Sequence, residues 1–410
     1  MEVDFGYLKE FRKRFLSRKL YSVIDKVYDL ETLQEAWKRV YSNRGCAGVD
    51  KVTIWEFKRN EERYLQELHR ALKTGRYTPP PVLRKYIPKR DGKLRSLGIP
   101  TVKDRVAQQA VKMVLEPVFE RKFLECSYGY RTGRNAHQAI RKLRYYRTQR
   151  NYRWIVDGDI KGFFDNVDHE IMISLVAREI SDGRILDLIS RWLKAGVMRD
   201  GKEEQTEIGT PQGGVISPLL ANIYLHEFDR CMLERKFNLI RYADDFVIIC
   251  STEKRVKKAL AEAKKILAKL KLQLHSGKTR IVHTEEMQFL GFTIGGNNRR
   301  GMKPREEAIT KFKERIKVFT RRHKTIPVKD IVRRMNALIS GWGHYYKIGS
   351  VSEVFRKLDI YLRKRLRIYI EKKISEHSHQ RLSNHTLRKE YGLKSLTYLL
   401  KLYRQDSHSV

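Results

Sequence analysis

The chain of 410 residues carries 86 lysines and arginines against 48 aspartates and glutamates, which gives a formal net charge of +38. A surplus of this size along the whole length exceeds what solubility requires, so it indicates a polyanionic partner and favours nucleic acid over an anionic membrane surface. Hydrophobic residues make up 41% of the sequence, enough for two or three domain cores, and the four cysteines lack the CxxC spacing typical of a zinc site and form no evident disulfide framework.

The N-terminal part of the chain predicts basic helices followed by a pair of strands. Residues 1–75 have a helical pattern that is broken at "NRGCAGVD". Residues 78–100 predict two strands around a tight turn, with prolines at their borders. Lys89 and Arg95, two basic side chains, flank that turn.

A long helix and a second strand follow. Thr101 is predicted to cap the helix, and Pro117 is predicted to mark its end. The second strand lies in "YRWIVDGDI", residues 152–160, whose mostly apolar and aromatic run holds two acids, Asp157 and Asp159. Because side chains alternate along a strand, these two acids are expected on the same face, with Asp159 at the end of the strand.

The central part of the chain continues the alternation of helices and strands. "TPQGGVISPLLANIYLHEFD" combines a glycine-rich turn with an apolar helix, which Ser217 is predicted to cap. "LIRYADDFVIIC", residues 239–250, predicts a β-hairpin because apolar, β-branched runs flank two acids, Asp244 and Asp245. Residues 304–373 are again helical and basic. The predicted fold class is therefore α+β, a sheet with helices gathered around it.

The acids on the predicted strands point to a metal site. A carboxylate that faces phosphate is repelled, whereas Mg²⁺ binds carboxylates and phosphate oxygens together, and two ions about 4 Å apart can clamp both oxygens of a phosphoryl transfer. Such a site needs carboxylates from separate strands, and Asp159 with Asp244 is the obvious pair. Asp157 is an alternative on the same strand, while Asp165 and Asp168 are assigned to the start of the following helix.

An ordered set of motifs resembles the group II intron reverse transcriptases. In chain order these are "LGIPTVKDRVAQQAV", "SYGYRTGRNAH", "DIKGFFD", "TPQGGVISPLLANIYL", "YADD" and "FLGF". The resemblance covers roughly residues 25–370. It implies a right-hand polymerase with fingers, a palm built from an antiparallel sheet and helices, and an α-helical thumb.

The resemblance also implies the catalytic residues. Asp159 and Asp244 would be metal ligands, with Asp245 beside them and the backbone carbonyl of Ile160 as a further ligand. Lys278, in "HSGKTRIV", would protonate the pyrophosphate leaving group. The implied metal is Mg²⁺, with Mn²⁺ as a substitute.

A nucleotide pocket is implied in the same way. Lys89 and Arg95 would hold the incoming triphosphate, Gln212 would pack on its sugar and base, and Phe164 would exclude a ribose 2′-OH. Each has a simpler interpretation, since the cations could be solvated and Gln212 could merely shape the glycine turn. Phe163 and Phe164 are adjacent, so one of them must belong to the core.

The domain boundaries implied by the resemblance place the fingers and palm before a helical thumb. They are 1–75 (N-terminal extension and start of the fingers), 76–155 (fingers), 156–298 (palm, with a fingers return near 180–215), 299–373 (thumb or maturase domain) and 374–410 (basic C-terminal tail). The residues expected to contact nucleic acid are Arg134, Lys311, Arg315, Arg321 and Arg322.

The function implied by the motifs is RNA-directed DNA polymerisation. The expected partners are an RNA template, a DNA or RNA primer, dNTPs and intron RNA, in the bacterial cytoplasm and without a membrane span. One alternative is an RNA-binding maturase scaffold in which polymerase activity is secondary, and another is a reverse transcriptase adopted by its host for repair or defence. An RNA-dependent RNA polymerase is disfavoured by Phe164 at the implied sugar gate.

Overall fold

The structure, a computed structural model, describes residues 21–88, 94–199, 202–204, 208–210, 213–295, 301–321, 326–371 and 382–406. Internal contacts divide the chain into two compact units, Met1–Asn135 with Val156–Ile281 and Ala136–Ile155 with Val282–Val410. Helices and antiparallel strands occur in both units, which confirms the α+β class. Within the described residues, no helix is long and apolar enough to cross a membrane.

The helices in chain order are α1 (Ile24–Tyr28), α2 (Leu30–Asn43), α3 (Ile54–Arg59), α4 (Glu61–Lys73), α5 (Val102–Glu120), α6 (Ala136–Thr148), α7 (His169–Ala177), α8 (Gly183–Lys194), α9 (Ser217–Glu234), α10 (Glu253–Lys269), α11 (Glu306–Phe319), α12 (Val328–Tyr346), α13 (Ser352–Glu371), α14 (Asn384–Lys389) and α15 (Leu396–Asp406). The strands are β1 (Val82–Pro88), β2 (Leu94–Ile99), β3 (Trp154–Asp159), β4 (Val197–Arg199), β5 (Lys202–Glu204), β6 (Asn238–Tyr242), β7 (Asp245–Cys250), β8 (Arg280–His283), β9 (Met287–Phe289), β10 (Phe292–Ile294) and β11 (Met302–Pro304).

The predicted strand pair belongs to a sheet with the order β2-β1-β4-β5. β1 and β2 run antiparallel, with Ile87 opposite Arg95 and Pro88 opposite Leu94. β4 pairs parallel to β1, and β5 pairs antiparallel to β4. This pairing confirms the predicted hairpin, although its turn, together with Lys89, lies outside the described residues.

The strands that carry the acids form a second sheet with the order β6-β7-β3-β8. β6 and β7 are antiparallel, and Tyr242 pairs with Asp245, so Ala243 and Asp244 make a two-residue turn with Ala243 at a φ of 59°. This confirms the predicted hairpin. On β3, a Cβ built on Gly158 would collide with the ring of Phe246 on β7, so only glycine lets the two strands approach this closely.

The predicted helix cap at Thr101 is confirmed, and Asp168 lies at the start of its helix as predicted. Thr101 accepts a hydrogen bond from the Asp104 amide, and Asp168 accepts one from the Ile171 amide. The prediction for Ser217 is wrong, because Ser217 is already the first residue of α9 and the capping position is Ile216, whose side chain cannot accept a hydrogen bond.

The prediction that Pro117 ends its helix is also wrong. α5 continues to Glu120. Proline removes one backbone hydrogen bond from the last turn, but Val118 and Phe119 beyond it are buried, at 9% and 4% exposure. Burial of these two side chains stabilises the extra turn.

The second unit holds the β9–β11 sheet and most of the C-terminal helices. On α11, Ile309, Phe312 and Ile316 are buried, and Phe319 is half-buried. Phe312 packs against Trp342 of α12 with ring centroids 4.9 Å apart. Aromatic and aliphatic packing thus holds this helical bundle together.

The C-terminal segment carries helices that pack within the second unit. Asp359 of α13 is buried, and its carboxylate accepts hydrogen bonds from the amides of Leu396 and Thr397 at 2.8 and 3.1 Å. Asp359 therefore caps the start of α15 from another helix. Leu396 and Leu400 of α15 are buried at 0% and 4% exposure.

Candidate active site

Three carboxylates lie close together in the β6-β7-β3-β8 sheet, where β3 ends and its neighbour β7 begins. Asp159 is the last residue of β3, Asp244 lies in the turn before β7, and Asp245 is the first residue of β7. Asp245 keeps contact with solvent, yet desolvation, followed by the charges of Asp244, Asp159 and Asp157, raises its pKa to about 6. The acids are therefore close enough to repel one another, an arrangement that a bound cation would stabilise.

Lysine and arginine side chains accompany the acids of β3. The ammonium Nζ of Lys278 lies 3.3 Å from Asp159 Oδ2, with both side chains partly exposed. Arg280 Nε lies 3.2 Å from Asp157 Oδ2. The two acids therefore differ in their partners. Asp159 faces a flexible lysine next to the YADD turn, whereas Asp157 is paired with an arginine from β8.

The backbone around Ile160 is held by the segment that precedes β8. The carbonyl of Asp159 accepts a hydrogen bond from the His275 amide at 2.8 Å, and the Lys161 amide donates to the carbonyl of Gln273 at 2.8 Å. Ile160 itself is buried, at 3% exposure. The carbonyl of Ile160 takes part in neither of these bonds, and its position is fixed by them.

The two phenylalanines after Asp159 have different environments. Phe163 is buried at 2% exposure and packs edge-on against Tyr224, with ring centroids 6.2 Å apart. Phe164 is half-buried, and its ring meets that of Phe163 at 5.1 Å. Gly162, at a φ of 52°, makes the left-handed turn that separates them from β3. The core residue of the pair is therefore Phe163.

The remaining predicted site residues are placed as follows. Lys89, Gln212 and Arg322 lie outside the described residues, as does the side chain of Arg95, whose backbone is paired in β2. Arg134 is half-buried and ion-paired with Glu125 at 3.3 Å. Lys311, Arg315 and Arg321 are exposed in the second unit.

Arg241 is a residue of the site region that the sequence analysis missed. Its side chain is fully buried, and Nε and Nη2 donate to Asp229 Oδ1 and Oδ2 at 2.7 and 2.5 Å. Nη1 donates to the carbonyl of Ala243 and to Asn222 Oδ1, each at 3.0 Å. Arg241 thus anchors the YADD turn from the buried side, through the carbonyl of Ala243. The signal was a charged residue in the middle of an apolar strand.

The donor set of the site consists of carboxylate oxygens. Across the described part of the chain, no three His, Cys, Asp or Glu side chains are grouped so that they could hold a metal ion by themselves. A cation at Asp159 and Asp244 would therefore take further ligands from backbone, phosphate or water oxygens, which is the usual coordination of Mg²⁺ in phosphoryl-transfer sites. The residues present fit such an ion.

Comparison with known proteins identifies the class to which this fold and site belong. Residues 87–294, about half of the chain, match the family described as "Reverse transcriptase (RNA-dependent DNA polymerase)". Residues 309–391 match the "Group II intron, maturase-specific domain". The chain therefore belongs to the group II intron reverse transcriptase and maturase family.

Similarity to individual proteins supports the same family assignment. Protein YkfC of Escherichia coli is 36% identical over 305 residues, covering 64% of this chain and 80% of the relative. The group II intron-encoded protein LtrA of Lactococcus lactis is 33% identical over 328 residues, covering 63% of this chain and 54% of LtrA. Nuclear intron maturase 2 of Arabidopsis thaliana is 30% identical over 169 residues, covering 32% of this chain and 23% of the relative. The chain thus spans about half the length of LtrA.

Proposed function

We propose that this reverse transcriptase extends a primer 3′-OH with dNTPs on an RNA template, using Mg²⁺ held by Asp159 and Asp244. The observation that carries this proposal is the meeting of Asp159, Asp244 and Asp245 at the ends of two adjacent strands. A protein that only binds RNA gains nothing from carboxylates gathered against a polyanion. Primer extension on an RNA template tests the proposal.

Each residue at the site has a distinct proposed role. The carboxylates of Asp159 and Asp244 hold the metal ions, and the fixed carbonyl of Ile160 supplies a further oxygen. When bound, Mg²⁺ or Mn²⁺ neutralises charge on the transferring phosphoryl group and activates the primer 3′-OH. Lys278 lies beside Asp159 and is the group that would donate a proton to the leaving pyrophosphate.

The nucleotide pocket is proposed from three parts of the first unit. Lys89 and Arg95, at the end of the β1–β2 hairpin, would bind the triphosphate. Gln212, directly before the glycines that precede α9, would contact the sugar and base. Phe164, five residues after Asp159, is half-buried, and its ring would meet C2′ of the incoming sugar.

The domain boundaries are part of the same proposal. We assign the fingers to residues 76–155, the palm to 156–298 and the thumb to 299–373, with an N-terminal extension before them. The central sheet with the acids would be the palm. The helical bundle of the second unit would be the thumb, where exposed cations such as Lys311 and Arg315 would contact the backbone of a primer-template duplex.

A role as a splicing maturase is a second candidate function, and the maturase-specific domain at residues 309–391 favours it. Intron RNA would then be a partner in the bacterial cytoplasm, and the relative LtrA is named as a group II intron-encoded protein. The two activities can coexist in one chain. A host role in repair or defence would use the same polymerase chemistry.

RNA binding is expected to weaken steeply as salt rises. If six to ten phosphates are neutralised by lysines and arginines, affinity should fall by about 10³ to 10⁵ between about 50 and 200 mM salt, because the release of counterions that drives binding becomes less favourable as the salt concentration rises. Fluorescence anisotropy with a labelled RNA across this range gives the slope. The double variant Lys311→Ala/Arg315→Ala should make that slope shallower, by an amount equivalent to the loss of about two phosphate contacts. A flat logarithmic plot for the wild type would mean that the +38 charge serves another purpose.

Phe164→Ala is expected to admit ribonucleotides. Removal of the ring makes room for a 2′-OH, so the ratio of kcat/KM for a ribonucleotide over a deoxynucleotide should rise by about tenfold or more. Single-nucleotide extension measures this ratio, and primer-template affinity should stay unchanged. Phe163→Ala is the matched control, which should lower stability without changing the ratio. If only Phe163→Ala relaxes discrimination, the gate is Phe163 and its assignment to Phe164 is wrong. If neither variant relaxes discrimination, neither phenylalanine is the gate.

A further inference from the structure

Gly209 and Thr210, in the loop between β5 and α9, bond to residues around the proposed sugar gate. The amide of Thr210 donates to the carbonyl of Phe164 at 2.7 Å, and the amide of Gly209 donates to the carbonyl of Val167 at 2.9 Å. The buried imidazole Nε2 of His169 lies 2.6 Å from the carbonyl of Gly209. These bonds fix the chain immediately before Pro211 and Gln212.

The same loop is fixed at its end by Gln108 of α5. The side-chain oxygen Oε1 accepts hydrogen bonds from the amides of Val215 and Ile216, at 2.7 and 3.4 Å. Val215 and Ile216 directly precede α9, whose first residue is Ser217. Gln108 therefore bonds, from another helix, to the backbone that leads into α9.

A buried carboxylate sets the orientation of the Gln108 amide. Asp104 Oδ2 accepts from Gln108 Nε2 at 2.8 Å, while Oδ1 accepts from Tyr77 Oη and Trp192 Nε1 at 2.7 and 2.6 Å. Burial raises the pKa of Asp104 to about 6, against these hydrogen bonds. Backbone amides only donate, so the oxygen of Gln108 must face Val215 and Ile216 and its nitrogen must face Asp104.

The middle of the loop passes close to β2, the strand that carries Arg95. Gly213 has a φ of 122°, and a Cβ built on it would collide with the carbonyl oxygen of Gly98. The loop, β2 and the start of α5 therefore form one packed arrangement. Gln108 is the side chain that bonds α5 to this loop.

We propose that Gln108 is a positioning residue for the incoming nucleotide, because it fixes Val215 and Ile216, which follow closely in the sequence after Gln212, the residue assigned to the sugar and base. Gln108 itself does not touch the nucleotide. The inference rests on the proposed polymerase function and on the assignment of Gln212. Its consequence is that a change at Gln108 should act on dNTP affinity rather than on primer-template binding.

The first test replaces Gln108 by methionine, which is similar in size and cannot accept a hydrogen bond from an amide. In primer extension by the full chain, Gln108→Met should raise the KM for dNTPs about tenfold, the cost of a buried hydrogen bond, while kcat and the Kd for primer-template stay within about twofold. Gln66→Met, at an exposed position of α4, is the matched control and should change neither constant. An unchanged KM in folded Gln108→Met would overturn the inference.

A second test exchanges donor and acceptor between the two buried side chains. Asp104→Asn alone puts two amide nitrogens face to face, so its KM should rise. In the double variant Asp104→Asn/Gln108→Glu, the new asparagine donates to the new glutamate, whose other oxygen still accepts from Val215. The double variant should therefore bring KM back towards the wild-type value.

The outcomes of the exchange separate the inference from the proposed function. If Asp104→Asn and the double variant share the same raised KM, Gln108 does not position the loop. If both variants keep the wild-type KM, Gln108 does not position the loop either. This comparison decides the question even if Gln108→Met fails to fold. A wild-type chain without any template-directed extension would refute the polymerase proposal itself, and the inference with it.

Discussion

Asp244→Asn is expected to abolish primer extension while RNA affinity stays within a few-fold of the wild type. Asparagine keeps the shape of the side chain and removes its negative charge. The metal that Asp244 would hold stabilises charge in the transition state by several kcal/mol, so its loss should cost about 10³-fold or more in rate. Binding of RNA depends on cations elsewhere in the chain and should change little.

The measurement is single-turnover extension of a labelled primer on an RNA template, with anisotropy for RNA binding on the same samples. Asp159→Asn should behave like Asp244→Asn, because the two carboxylates share the proposed metal site. Asp187→Asn is the matched control, since Asp187 is an exposed acid of α8 that pairs with Arg191 at 2.7 Å. Full activity in Asp244→Asn would contradict the metal-site assignment.

Asp229→Ala is expected to lower the free energy of unfolding by about 3–5 kcal/mol. The side chains of Arg241 and Asp229 are 0% and 1% exposed, and their bidentate pair lies beneath the YADD turn. Without Asp229, the guanidinium would remain charged and buried without its main partner. A loss of this size is a large fraction of the stability of an ordinary domain.

Urea denaturation followed by fluorescence measures the effect. The double variant Asp229→Leu/Arg241→Met removes both charges and should lose much less stability than Asp229→Ala, because no unpaired charge stays in the core. Glu253→Ala breaks the exposed pair with Lys257 and should change stability by less than about 1 kcal/mol. If Asp229→Ala is no more destabilising than Glu253→Ala, the buried pair does not anchor the turn.

The local elements of this fold could be predicted from the sequence because their signals are local. Apolar runs around two acids predict the β6–β7 hairpin, and a threonine before a periodic apolar segment predicts the start of α5. Both predictions are confirmed. The two local errors lie at Pro117 and Ser217. Burial of Val118 and Phe119 carries α5 past Pro117, and Ile216 instead of Ser217 occupies the capping position of α9.

The interactions that shape the site could not be predicted, because their partners lie far apart in the chain. Gln108 bonds amides 107 and 108 residues away, and nothing in the local sequence around Gln108 indicates this contact. Arg241 and Asp229 lie on different elements, so their pairing depends on how α9 packs against the sheet. The placement of the acids on predicted strands indicated a metal site, and the ordered motifs supported that assignment, since an Asp-Asp pair at a turn is common without any function.

Extension of a DNA primer by the full chain on an RNA template, with dNTPs and Mg²⁺, tests the central claim most directly. The expected product runs to the end of the template, follows the template sequence, and disappears when Mg²⁺ is chelated or Asp244 is replaced by asparagine. The contradicting result is a wild-type chain that binds the primed RNA tightly and adds no nucleotide with either Mg²⁺ or Mn²⁺.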